Sequence, residues 1–355
     1  MKPRYLDKRN CHALLPNSYG LSMLQRLDEC LSQINDTHGE YFGLFDKLIE
    51  HNQKTINKKV ASDRLLNVKL DIAQALYPDE KAINTQVRDR PYPGPVQLHT
   101  VIEFEGGTAW KTLVPLQYLL KGWGDASAGH QCYVHSISKN MPRVSNTPQF
   151  IERQMSDEDT YYYVGITGRN WLERLGEHIA ETRRGNRRSF YEALRESVGW
   201  KNVLYTSTLM EINQSYDDAM NWEERKVDKI ASDQYGLNMI PGGFKGLREL
   251  YKLGLAKGAR VSVEERDDAL SAYTNLNPRK GIPNPFIKSW WEDDEHYEQI
   301  NASNPKRLSV EQRKEIRRLY ADGLSLECIK TKVGALDERQ VKDFLSGKTY
   351  KRSAV

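Results

Sequence analysis

The run Tyr161-Tyr-Tyr-Val-Gly-Ile-Thr-Gly-Arg-Asn-Trp-Leu-Glu-Arg-Leu-Gly-Glu-His178 constrains this chain to a sheet with helices packed on it. Its first half reads as a strand, and Gly168 relaxes the turn that follows. Asn170 with Glu173 makes a capping-box-like helix start, after which Trp171, Leu175 and Ile179 recur at helical spacing. Arg174 and His178 each precede a member of that stripe by one residue, about 100° round the helix, which stacks them at its rim. By itself this is an ordinary exposed Arg-His pair. The strand adds Tyr161 and Tyr163 on one face, with Tyr162 and Val164 on the other. An earlier strand, Cys132-Tyr-Val-His-Ser-Ile137, likewise puts Tyr133 and His135 on a shared face. A tyrosine, a guanidinium and an imidazole held together suit phosphodiester chemistry, where phosphate charge is neutralised and a hydroxyl positioned.

A third piece is the helical pattern from Asp217 to Gln234, with Ala219, Trp222, Val227 and Ile230 as its apolar face. Glu223 falls in the middle of that face, and a carboxylate there is costly unless it is paired or binds a cation. A salt bridge to Arg174 or another base is one solution. A Mg²⁺ ion is the other, because it keeps several waters and needs only one carboxylate.

With 355 residues, 28% charged and 39% hydrophobic, the chain is expected to form two or three soluble domains. No apolar run approaches a membrane span, and Met1 to Leu6 lacks a signal-peptide core. Cys11, Cys30, Cys132 and Cys328 are scattered without a CxxC pair, which argues against a structural zinc or a disulfide framework and for the cytoplasm. Residues 1 to about 80 read as mainly helical, from Leu21, Leu24, Leu27, Leu31 and Ile34 and from a second pattern over Leu65 to Leu76. Arg90-Pro-Tyr-Pro-Gly-Pro95 reads as a break, Val96 to Phe104 as a strand and Thr108 to Leu120 as a short helix. From Gln131 to Lys245 the order β-β-α-α-β-α describes an α+β domain, a small mixed sheet flanked by helices. The expected layout is a mostly helical domain over 1–125, the α+β domain over 126–250, a linker region over 251–307 and a helical domain over 308–355.

Charge is concentrated at the end. Residues 305–355 carry thirteen Lys/Arg against seven Asp/Glu, whereas the whole chain is only +4. Three short helices are expected there, Val310–Ala321, Ser325–Lys332 and Asp337–Leu345, with helix-turn-helix proportions and a minimal core of Ile316, Leu319, Leu326, Ile329, Val333, Val341, Phe344 and Leu345. The third would turn Glu338, Arg339, Gln340 and Lys342 outward, types that reach base edges and phosphates, with Lys348, Lys351 and Arg352 behind to grip a backbone. A purely structural three-helix cap is the alternative.

The central block resembles the GIY-YIG nuclease superfamily. Tyr163-Val-Gly165 stands for its second signature, Arg174 and His178 for the Arg-xxx-His of its first helix, Glu223 for its metal-binding glutamate, and Gly236-Leu-Asn238 with Pro241-Gly-Gly243 for its closing segment. The first signature departs from the pattern: Tyr133 is its tyrosine in one alignment and His135 takes the place in the other. The two signatures are also separated by a long polar insertion. The resemblance implies metal-assisted hydrolysis with Mg²⁺ or Mn²⁺ held by Glu223. Tyr133 or His135 would activate water, Tyr163 position it, Arg174 neutralise phosphate charge and His178 assist proton transfer, while Gly165 and Asn238 shape the site. The C-terminal pattern resembles the helix-turn-helix modules of homing and phage-type endonucleases. The expected function is a site-directed endonuclease or nickase on double-stranded DNA in a bacterial or phage-infected cell. Its oligomeric state is open, with a monomer favoured. A degenerate, non-catalytic DNA-binding regulator is the alternative, and an RNA-acting or repair nuclease a third reading.

Overall fold

Alternating apolar residues, rather than helical stripes, govern residues 67–115, and a computed structural model accordingly places four strands there in one mixed sheet of seven. The structure describes residues 3–16, 19–37, 39–56, 64–76, 83–104, 108–139, 160–200, 202–231, 236–258, 261–276 and 307–350. The chain divides into two compact units, Met1–Gly281 and Ile282–Val355.

In the first unit the strands are β1 (Asn67–Leu76), β2 (Ile83–Pro95), β3 (Gln97–Phe104), β4 (Thr108–Pro115), β5 (His130–Ser138), β6 (Thr160–Thr167) and β7 (Leu204–Gln214). They lie in the order β2-β1-β3-β4-β7-β5-β6. β1 pairs β3, and β4 pairs β7, in parallel; the other pairs are antiparallel. Asn67–Leu76 is strand rather than helix: Leu70 and Ile72, both fully buried, share one side with Asp71 between them, a period of two that a helical reading of Leu65–Leu76 obscured. Thr108–Leu120 is β4 followed by one helical turn, and Arg90–Pro95 lies within β2. The sheet is therefore larger than the small one expected, and the N-terminal stretch is helical only before it.

Helices α1 (Lys8–Leu14), α2 (Leu21–Thr37) and α3 (Leu44–Thr55) precede the sheet, and α4 (Leu116–Leu119) follows β4. Leu27, Leu31, Phe45 and Leu48 from these helices share one buried cluster with Leu70, Ile72, Leu98 and Val114 from the strands. The same cluster runs on into Tyr133, Trp171, Leu209 and Ile212. On the Tyr133 face of the sheet lie α5 (Trp171–Arg183) and α6 (Ser189–Ser197). On the opposite face, Cys132, Val164 and Ile166 pack with α7 (Tyr216–Ala231), α8 (Gly243–Lys252) and α9 (Val263–Leu276). Residues Val263–Leu276 fall in the stretch read as linker, yet Ala269 and Tyr273 are buried in that second cluster.

The second unit, described by itself, contains α10 (Val310–Ala321), α11 (Leu326–Val333) and α12 (Glu338–Leu345), within a residue of the expected bounds. Ser309, Ser325 and Asp337 cap their N-termini, and Gly334 ends α11 in the left-handed region. Leu308, Ile316, Leu319, Ile329, Val341 and Phe344 make its core.

The parallel β4–β7 seam crosses residue 125, where a domain boundary is expected from sequence. A chain lacking residues 1–125 would expose the β7 edge and the apolar side of Tyr133, Trp171 and Leu209. Such a truncation is expected to lose near-ultraviolet circular dichroism and to bind a hydrophobic dye; a native-like spectrum would show that the seam is dispensable.

Candidate active site

Strand register places the first site residues. Tyr133 lies opposite Gly165 and His135 opposite Tyr163 across the β5–β6 pair. The Tyr133 ring rests on Gly165, where a β-carbon would come within 2.5–2.7 Å of phenol atoms, so only glycine fits. Helix α5 begins as expected, with the Asn170 side chain accepting from the Leu172 and Glu173 amides. Its start is tied to the N-terminal region: Trp171 Nε1 donates to the Leu14 carbonyl at 3.2 Å, and the Trp171 amide to Gln131 Oε1 at 2.8 Å.

His178 does not sit at the rim of α5 but is 0% exposed, because α6 closes over it. Its Nε2 is 3.2 Å from Tyr133 Oη and its Nδ1 3.0 Å from Tyr191 Oη. The imidazole thus bridges two phenols, donating to one and accepting from the other in its neutral form. Burial, reinforced by Arg174, His135 and Arg188, holds His178 well below the usual imidazole range. Burial also raises Tyr133 well above an ordinary phenol and lifts Tyr163 to about 12. His135 bonds Ser207 Oγ through Nδ1 at 3.0 Å, while its buried Nε2 has no partner. Burial and then Arg174 lower its pKa to about 3. Phe190 stacks on both His135 and Tyr163, with Tyr163 at 4.4 Å between centroids.

A pocket of about 40 Å³ opens at the edge strand β6, lined in part by Tyr163, Arg188, Tyr191, Glu223, Asn238 and Asp267. Tyr133 and His135 are buried and do not line it. Asn238 fixes the wall: its amide donates to the Val164 carbonyl at 2.8 Å, and its Oδ1 accepts from the Val164 amide at 3.0 Å. The backbone of Gly243, at φ +54°, passes so close to Met220 that a β-carbon would collide with the Met220 carbonyl oxygen. That approach lets the Gly243 amide donate to Glu223 Oε2 at 2.7 Å.

The charges are paired by α9. Glu223 is 3% exposed, as its place on the apolar face of α7 requires, and its partner is Arg266 rather than Arg174. Arg266 forms a two-pronged contact, Nη1 to Oε2 at 2.5 Å and Nη2 to Oε1 at 2.8 Å. Burial opposes the Arg266 charge, and the Glu223 carboxylate outweighs that, holding the guanidinium above its usual range. Arg174 reaches Glu177 at 2.6 Å and forms an ion pair with Asp267 Oδ2. Arg188 donates to Asp267 Oδ1 at 3.1 Å and to the Asp267 carbonyl at 2.6 Å. Among the described residues, no group of three or more His, Cys, Asp or Glu converges as a metal cage. One buried carboxylate is still a sufficient protein ligand for a hard divalent ion completed by water and phosphate oxygens.

Residues 151–235 match the GIY-YIG catalytic domain. That span holds Tyr163, Arg174, His178 and Glu223, and leaves out β5 with Tyr133 and His135. No curated protein and no solved structure matches the chain. A domain of this kind implies a nuclease, a phosphodiester hydrolase, and such nucleases generally depend on a divalent metal.

Sequence reasoning missed Arg188, Tyr191, Arg266 and Asp267. Arg188 and Tyr191 flank a helix start that carried no motif, and Arg266-Asp267 lies more than 40 residues beyond the Glu223 it serves, so spacing gave no signal.

The two buried histidines of the site, His135 and His178, give the fold a pH dependence of definite sign. Below pH 6.5 the unfolded chain takes up protons that the folded one refuses, so their contribution is complete above pH 6.5 and declines as pH falls towards 3. Urea midpoints measured from pH 8 to pH 4 are expected to fall, and less steeply in His135→Asn. An identical slope in that variant would exclude His135 as a source.

Proposed function

We propose that this chain is a site-directed DNA endonuclease or nickase that hydrolyses a phosphodiester with one divalent metal ion, Mg²⁺ or Mn²⁺. The supporting observation is that Tyr163 and Glu223 line one pocket, Arg174 lines a second that shares Arg188, Tyr191 and Asp267 with it, and the buried Tyr133–His178 pair stands behind, all within the region of the GIY-YIG match and the strand beside it. Glu223 would hold the metal, which when bound supplies Lewis-acid stabilisation of the leaving oxygen. Arg174, always charged, neutralises the phosphate. Tyr163 lines the pocket and positions the attacking water. His178 bonds Tyr133 and so can take or return the phenol proton as water is activated. His135, locked to Ser207 and stacked on Phe190, shapes the bed on which Tyr163 lies. Gly165 and Asn238 give the site its form.

The C-terminal unit would supply DNA reading as a helix-turn-helix. Arg339 and Lys342 project from α12 and are exposed, as is Lys348 beyond it. Gln340 accepts the Leu336 amide at 2.9 Å, so it must release a cap to reach a base. Lys351 and Arg352 lie outside the described residues. Double-stranded DNA is the proposed substrate, in the homing or phage-type manner, acting in the cytoplasm as a monomer. Among the described residues no helix is long and apolar enough to cross a membrane.

Arg174→Ala and Glu223→Ala are expected to keep duplex binding and lose at least ~100-fold in Mg²⁺-dependent plasmid cleavage, the scale for removing a transition-state charge donor. Undiminished cutting by both would refute the reading. Deleting residues 305–355 is expected to abolish site preference and flatten the salt dependence of binding, because the thirteen basic residues there carry the phosphate contacts. Unchanged cut sites, mapped by sequencing the ends of digested DNA, would rule out the reader role.

A further inference from the structure

Helix α9 meets the two charges that the proposed reaction uses with two adjacent residues of its own. Arg266 sets a cation on Glu223, and Asp267 sets an anion between Arg174 and Arg188. The two Asp267 oxygens are divided, Oδ2 to Arg174 and Oδ1 to Arg188, which is how paired guanidiniums take a planar or tetrahedral oxyanion. Arg188 ties α6 to α9 through the Asp267 carbonyl and through Ser271 Oγ at 2.5 Å, yet one of its donors is left over. It is the N-cap residue of α6 but its side chain caps nothing, it is only 6% exposed, and its Nε is buried without a partner. A buried donor left unmade in a native centre calls for a ligand richer in acceptors than the carboxylate present. Phosphate is such a ligand, and the uncapped amides at the start of α6 add to the pull on an anion.

We propose that Arg174 and Arg188 form a two-guanidinium clamp for the scissile phosphate, and that Asp267 of α9 holds this clamp until a DNA phosphate displaces it. The proposal rests on the phosphodiester-hydrolase reading of the centre and adds to it a second phosphate ligand and a built-in competitor. Because Arg266 and Asp267 are neighbours, one displacement of α9 uncovers Glu223 and the clamp together.

The test uses the full-length protein and two probes that require no cleavage: inorganic phosphate, read by melting temperature, and a short DNA duplex in EDTA, read by fluorescence anisotropy. Asp267→Asn, which takes from Arg188 its carboxylate and leaves Arg174 only Glu177, is expected to melt lower than wild type without phosphate and to recover with millimolar phosphate. It should also bind the duplex about tenfold more tightly, since the competitor is gone. Arg188→Ala should lose the phosphate response and weaken duplex binding, and Asp267→Glu should behave as wild type. If Asp267→Asn shows neither phosphate recovery nor tighter duplex binding, the clamp is overturned. Should that variant not fold, Arg188→Lys decides: it keeps the charge but loses the fork, so weaker duplex binding supports the clamp and unchanged binding overturns it. Cleavage of plasmid DNA by wild type in Mg²⁺ is scored separately. A protein that cuts nothing but shows the phosphate and duplex responses loses the hydrolase reading and keeps the clamp; one that cuts without those responses keeps the reading and loses the clamp.

Discussion

A buried ion pair, Glu223 with Arg266, and a half-buried triad beside it, Asp267 between Arg174 and Arg188, fix how the candidate centre is put together. None of these groups can be left alone in the protein, because an unpaired buried charge costs about 3–5 kcal/mol. That requirement draws α9 onto the β6 edge, where α6 begins and α7 presents Glu223, and so joins elements that lie on opposite faces of the sheet. The pairs are weak evidence for stability, since apolar groups of the same shape would often serve the fold as well. They are better evidence that these positions must carry charge for another reason.

Behind the charges stands an uncharged cluster, and it depends on the N-terminal half. Tyr133 and Trp171 belong to the same buried set as Leu14, Leu98 and Val114, so the helix bearing Arg174 and His178 is held from a part of the chain with no catalytic motif of its own. The β4–β7 pairing continues the support through the backbone, and the contact of Trp171 with the Leu14 carbonyl pins the helix start. A site that must hold a guanidinium and an imidazole within tenths of an ångström gains from being built on such rigid elements.

Local signals were legible in the sequence and distant ones were not. The strand at 160–167, the Asn170 cap and the placement of Glu223 on an apolar face all follow from rules that act within one turn or one strand. The three C-terminal helices were equally readable, since each carries its own cap. Leu65–Leu76 misled because Leu66 and Leu70 stand four apart, a helical spacing, while pairing with β2 and β3, which no local pattern reveals, made Asn67–Leu76 a strand. The role of Arg266 and Asp267 was invisible for the same reason: a charge partner is chosen by tertiary proximity, and Arg-Asp in a polar segment looks like any solvated helix. Gly165 lies between these cases, legible as part of a signature but explained only when the Tyr133 ring is seen resting on it.

The charge arithmetic explains how a centre so fully paired could still open. Asp267 and a phosphodiester each carry one negative charge, so exchanging one for the other leaves the Arg174–Arg188 clamp balanced throughout. On the other side a divalent ion would replace Arg266, and Glu223 would never face the interior without a cation. The residues of α9 that would have to leave the protein core in such an exchange are apolar, Ala269 and Tyr273, both buried in the second cluster.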